Sequence, residues 1–171
     1  MSWASARAVL CVRLDTIGDV LMTTPALRAI KEGRSDRRVT LLTSAPGAAV
    51  ARRVPEIDDV LIYDAPWLKA TAPRRDSGRD HAFVAHLREL GFDAAVIFTV
   101  YSQSALPAAM LAYLADVPLR LAHSRENPYQ LLTDWVRETE PEGGVRHEVQ
   151  RQLDLVATVG CRPSSERLSL E

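Results

Sequence analysis

Ala8-Val9-Leu10-Cys11-Val12-Arg13-Leu14 runs straight into Asp15-Thr16-Ile17-Gly18-Asp19, and a helical pattern from Val20 to Lys31 follows. The first run is short, almost continuously apolar and rich in branched side chains, as a strand covered on both faces should be. A covered strand that passes through a short turn into a helix is the opening of a parallel βαβ unit. Pro25 lies inside the helical pattern and is expected to kink it or split it in two.

Outward from this unit the alternation repeats. Arg38 to Ser44 (RVTLLTS) reads as a second strand, Ala45 to Arg53 as a short helix ending near Pro55, and Asp59 to Tyr63 as a third strand. A helix from about His81 to Leu90, stopped by Gly91, precedes a fourth strand from Asp93 to Thr99. Ser104 is expected to cap a helix running to Leu114, with Pro107 tolerated in its first turn. Leu106, Met110 and Leu114 are expected to stack toward the core. Leu119 to Ala122 reads as a fifth, short strand. An amphipathic helix, Arg146 to Val159, carries Val149, Leu153 and Val156 as its apolar stripe and stops at Gly160. The expected fold is α/β, a Rossmann-like parallel sheet of about five or more strands with helices on both faces and right-handed crossovers. Residues 64–80 have no period and are expected to form a mobile loop, and the tail from Cys161 is polar with no evident partner.

A chain of 171 residues can bury one sizeable core but not two full α/β domains. A formal net charge of −1 gives no reason to expect nucleic acid or an anionic membrane surface as partner. Cys11 and Cys161 cannot build a disulfide framework, and no Cys/His spacing suits zinc, so no metal is expected and a reduced, cytoplasmic setting fits. No run approaches the roughly 18 apolar residues of a spanning helix. Met1 to Arg7 is not a secretory signal.

In open α/β sheets ligands collect at the carboxyl ends of the strands, near the point where strand order reverses. The turn after the first strand is therefore the best place for chemistry. Gly18 lets backbone approach a ligand, and the helix N-terminus behind it offers unpaired N–H groups. Asp15 and Asp19 flank this turn. Two roles are open to them: capping the helix and complementing its dipole, or acting on a substrate. GxGxxG and GxxxxGK[ST] are both absent, which removes the two commonest nucleotide-binding first turns.

The stretch RLDTIGDVLMTTPALRAIK resembles the opening of glycosyltransferase family 9, the ADP-heptose:lipopolysaccharide heptosyltransferases and their relatives. The resemblance continues through VTLLTS, VPEIDDVLIYDAPW and FDAAVIFT and ends in RHEVQRQLDLVATVG, so it covers nearly the whole chain in order. It implies the N-terminal half of a GT-B glycosyltransferase. Residues 1–160 would be the acceptor-side domain and residues 161–171 the start of an interdomain linker or a tail, with the nucleotide-sugar domain absent from this chain. It implies an inverting transfer of a heptose or related sugar, with Asp19 matching the aspartate proposed as general base. No cofactor is expected in this half, since the ADP-sugar donor belongs to the other. The acceptor would be a saccharide or glycolipid, through which the protein could touch a membrane surface. Alone, this half is expected to be inactive.

Thr16 and Gly18 join Asp19 as candidates for acceptor contact. Lys69, Arg74 and Arg75, with Arg79, fall in the segment from which family members hold anionic sugars, and arginine's planar fork suits phosphate. A solvated charged loop is the other reading. Polar residues after the later strands, Ser102 and Gln103 and then His123, Arg125 and Asn127, are candidates on the same sheet edge, with loop hydrogen bonding an equal alternative for His123. Ala122 and the Tyr101-Ser102-Gln103 turn depart from the family's usual pattern, which bears on acceptor identity. Trp67 and Trp135 could stack on sugar rings or simply pack. Two rival classes remain: a non-catalytic flavodoxin-like nucleotide-binding module, and a truncated interaction partner.

Overall fold

The computed structural model describes residues 1–171. Along them run β1 (Ala8–Arg13), α1 (Ile17–Glu32), β2 (Arg38–Thr43), α2 (Ala45–Ala51), β3 (Asp59–Ile62) and α3 (Gly78–Leu90). There follow β4 (Ala94–Ile97), α4 (Leu106–Leu114), β5 (Leu119–Ser124), a 3-10 turn (Tyr129–Leu131), β6 (Asp134–Arg137) and α5 (Glu148–Ala157). The strands form one sheet in the order β3-β2-β1-β4-β5-β6, and every pairing is parallel. This is a Rossmann-like arrangement. The order reverses between β1 and β4, so the turn after β1 opens at the reversal.

Alternation along the covered strands divides the core. Val9, Cys11, Val39, Leu41, Val96 and Phe98 point to one face, where Leu27 and Ile30 of α1 and Leu155 and Val156 of α5 cover them. Leu10, Val12, Leu42, Ala95 and Ile97 point to the other, beneath Leu87 of α3 and Leu111 of α4. β1, β2 and β4 are thus apolar on both sides, as their composition suggests.

The sequence reading missed β6. Its four residues, Asp-Trp-Val-Arg, are half-buried in alternation at the sheet edge and sit in a polar stretch. No helix covers the crossover from β5; the 3-10 turn takes its place. The buried Arg120 pins that turn, donating to Leu131 O at 2.8 Å and Gln130 O at 2.7 Å, and also bonding Val117 O. Its guanidinium lies 5.3 Å from the centroid of the Tyr113 ring.

Three further expectations need correction. Pro25 does not break α1, which runs unbroken from Ile17 to Glu32. The carbonyl that Pro25 deprives of a donor belongs to Leu21, and the Thr24 hydroxyl donates to it at 2.7 Å. Met110 and Leu114 do not face the core; they are 43% and 45% exposed. α4 buries Ala108, Ala109, Leu111 and Ala112 instead, because small side chains let the helix sit close to the sheet. Ser104 lies one residue before the N-cap, Ala105, and its hydroxyl accepts from Leu106 N at 3.3 Å.

The tail also finds partners. Arg28 of α1 donates to Ser165 O and Arg167 O, both at 2.7 Å, and bonds Ser169 Oγ. Ser169 N donates to Thr24 Oγ1 at 3.0 Å, and Ser164 bonds the Glu32 carboxylate. Residues 164–171 therefore form a strap along the outside of α1. No helix is long and apolar enough to cross a membrane.

Candidate active site

β1 delivers Arg13 to the carboxyl edge of the sheet, and the next residues turn into α1. Thr16 is the N-cap, in extended conformation, and forms a reciprocal capping box with Asp19. Thr16 N and Thr16 Oγ1 donate to Asp19 Oδ2 at 3.0 and 2.7 Å. The other carboxylate oxygen, Asp19 Oδ1, accepts from Arg13 Nη2 at 3.0 Å. Burial alone would raise the Asp19 pKa, but the Thr16 hydrogen bonds and the Arg13 charge outweigh it and hold the carboxyl below its ordinary range. Asp19 is ionised, oriented and still a quarter exposed.

Arg13 itself is wholly buried and serves three carboxylates. Besides Asp19, its Nη1 donates to Glu148 Oε1 of α5 at 2.9 Å. Its Nε lies 3.1 Å from Asp15 Oδ2 but is poorly aligned for a hydrogen bond. Asp15 Oδ1 accepts from Gln103 Nε2 at 2.8 Å. Glu148 Oε1 also accepts from Gln152 Nε2 at 2.6 Å, and Gln152 and Arg151 both donate to Thr99 O at 3.0 Å. Arg151 continues the chain of charges to Glu138 at 2.5 Å.

Asp19 opens onto a cleft of about 840 Å³. Thr16 and Gly18 at the start of α1, Ser44 at the start of α2, and Tyr63 and Lys69 after β3 line it. A Cβ on Gly18 would meet nothing nearer than Thr16 Oγ1 at 3.8 Å, so the chain's own packing does not demand glycine there. Gly47 differs: a Cβ would fall 2.1 Å from Thr43 Oγ1 and 3.2 Å from Val20 Cγ2. Its bare backbone lets α2 close against β2 and α1.

The same fold occurs in solved glycosyltransferase structures. The glycosyl transferase family 9 protein from Veillonella parvula DSM 2008 superposes with a TM-score of 0.73 at 16% identity, over 100% of this chain and 46% of that one. E. coli ADP-heptose LPS heptosyltransferase II gives 0.71 at 18% identity, over 96% and 46%. E. coli heptosyltransferase WaaC, solved with ADP-2-deoxy-2-fluoro heptose, gives 0.67 at 19% identity, over 92% and 50%. The fold is that of the N-terminal half of such an enzyme. The chain spans about half the length of these structures. No protein-family model matches its sequence, and no curated protein matches it.

Within this fold, the structure gathers some of the candidate residues and separates others. Thr16, Gly18, Asp19, Lys69 and Gln103 share the cleft. Arg74 turns away, paired with Asp80 at 2.8 Å in a neighbouring hollow, where Tyr63 Oη also donates to Asp80 at 2.7 Å. Arg75 is exposed and lines none of these hollows. Ser102, Gln103 and Arg125 border a small polar hollow of about 130 Å³ with Ser124 and Glu138. Arg125 Nη2 donates to Glu140 O at 2.5 Å. His123 is buried within β5; burial and then the Arg151 charge push its pKa down to about 4, so it is neutral. Asn127 caps the following turn, accepting from Tyr129 N at 2.9 Å. Trp67 packs edge-on to Tyr63 with centroids 5.8 Å apart, and Trp135 Nε1 donates to Ser124 O at 2.8 Å. His147 is the N-cap of α5.

Sequence reasoning passed over Arg13 and Glu148. An arginine inside an otherwise apolar covered strand was the available signal, since a buried charge needs partners. Glu148 sits in the first turn of a distant helix and carried none.

Proposed function

We propose that this chain is the acceptor-binding half of an inverting glycosyltransferase that moves a heptose or related sugar from an ADP-sugar to a saccharide acceptor. The observation that carries the reading is Asp19, an oriented and part-exposed carboxylate on the rim of a cleft of about 840 Å³ at the reversal point of the sheet. The acceptor hydroxyl oxygen attacks the anomeric carbon, and the bond from that carbon to the donor diphosphate breaks. ADP leaves with the bonding electrons, and the hydroxyl proton passes to Asp19. Because Thr16 and Arg13 stabilise its ionised form, Asp19 is a weak base. Rate then depends on holding the acceptor oxygen in place and on stabilising the leaving diphosphate from the other half.

Lys69, which lines the same cleft as Asp19, suits an anionic group on the acceptor. No cofactor is needed in this half; the ADP-sugar belongs to the nucleotide-binding half. A glycolipid acceptor would bring the protein to a membrane surface from the cytoplasmic side. The chain alone does not transfer sugar under this reading.

The test is transfer of labelled heptose from ADP-heptose to a heptose-free lipopolysaccharide by this half joined to a nucleotide-sugar-binding half, with the chain alone as control. Turnover by the isolated chain, or tight ADP-heptose binding to it, overturns the division of labour. Undiminished transfer after Asp19→Ala removes Asp19 from the mechanism.

A further inference from the structure

A second cavity, of about 210 Å³, adjoins the Asp19 cleft. Leu14, Asp15, Leu68 and Gln103 border both spaces, and the Gln103 to Asp15 hydrogen bond of 2.8 Å lies on the shared boundary. Val12 and Ile97 of the sheet, Trp67, and Pro107 and Ala108 of α4 supply the rest of an apolar wall. No lysine or arginine lines it. Thr99 does, and its buried hydroxyl has no protein partner.

This space is a part-open recess wide enough for a single ring. A cavity of about 150 Å³ lined by apolar side chains is known to hold benzene. A phosphorylated or carboxylated ring would meet no counter-charge here and would lie beside the Asp15 carboxylate, so anionic groups are disfavoured. An uncharged ring would bury its faces against Trp67, Pro107 and Ala108.

We propose that this cavity binds an apolar, uncharged ring of the acceptor, a phenol-like aglycone next to the sugar whose hydroxyl reaches Asp19. The proposal rests on reading the adjoining cleft as the acceptor site. It assigns different chemistry to the two spaces: anion-tolerant where Lys69 lines the cleft, uncharged where Trp67, Pro107 and Ala108 line the smaller one.

The experiment is titration of the isotopically labelled chain with phenol, and with glycerol as polar control, followed by amide chemical shifts. Saturable shifts at Thr99, Gln103 and Ser104 with phenol and none with glycerol are expected. Ala108→Leu, which fills the cavity, should weaken phenol at least tenfold. Trp67→Ala, which does not crowd the core, should weaken it about fivefold and serves if the first variant does not fold. Absence of saturable shifts, shifts centred elsewhere, or binding indifferent to these substitutions overturns the proposal. The readout needs no turnover, so phenol binding beside a failed transfer assay would defeat the catalytic reading while leaving the cavity's preference for rings intact.

Discussion

Arg13 and Glu148 stand 135 positions apart in the chain, and their side chains meet at 2.9 Å. The contact fastens the last helix to the central strand through a guanidinium that also holds Asp19. Asp19, Asp15 and Glu148 thus share one buried cation, and the state of any one is felt by the other two.

Replacing that cation should therefore damage the fold before it damages the chemistry. Arg13→Met leaves carboxylates facing each other without compensation and is expected to cost about 3–5 kcal/mol. Urea denaturation measures it. Arg13→Lys keeps the charge but cannot fork to all its partners, and should fall between the wild type and Met.

Thr16 separates the two roles of Asp19. Thr16→Ala removes the hydroxyl that donates to Asp19 Oδ2 at 2.7 Å, so the carboxyl pKa must rise. In the two-half transferase proposed above, the acid limb of kcat/KM should then move to higher pH, with a stability loss of about 1 kcal/mol from the weakened cap. Asp19→Asn should lower kcat by about 10²- to 10⁴-fold with donor affinity unchanged. An acid limb that stays put in Thr16→Ala would show that another group titrates.

His123 governs stability in a different pH window. Its folded pKa is pushed from 6.5 to about 4, so the unfolded chain takes up a proton that the folded chain refuses. The contribution is complete above pH 6.5 and is lost as pH falls toward 4. Between pH 7 and pH 5 the loss should be about 2 kcal/mol by linkage. His123→Gln should flatten that slope, which thermal melts across the range will show. Asp19 adds a separate loss at lower pH, below the ordinary aspartate value of 3.8, because its folded pKa is depressed.

Thr24 offers a cycle with a definite sign. Thr24→Val strands Leu21 O and removes the acceptor for Ser169 N, an expected cost of about 1–3 kcal/mol. Adding Pro25→Ala supplies a backbone N–H to the same carbonyl and should recover part of the loss, while Thr24→Ser should be close to neutral. A double variant no better than Thr24→Val alone would dissociate the hydroxyl from the proline.

The sheet was legible because its strands are buried on both faces: AVLCVRL and RVTLLTS announce themselves without any knowledge of partners. β6 was not, since edge position leaves Asp134 and Arg137 in the strand and no apolar run to notice. α4 was found but turned to the wrong face, because alanines at close contact carry less apparent hydrophobicity than Met110 and Leu114. At the site, Thr16, Gly18 and Asp19 lie together on one turn and were readable as a local motif. The Arg13 hub was not, because its partners come from elements far apart in the chain and only folding brings them within reach.

The strap of residues 164–171 bears on how the cleft can adapt. It clasps the outer side of α1, while the core cluster grips the inner side, so the wall bearing Asp19 is clamped between two layers. The segment carrying Lys69 is tied by turn bonds, Leu68 N to Ala65 O at 3.1 Å and Thr71 N to Leu68 O at 3.0 Å, and by Ala65 and Leu68 in the core. The two sides of the cleft are thus secured in different ways, one by helix and strap, the other by the packing of Ala65 and Leu68 into the core beneath α3 and α4.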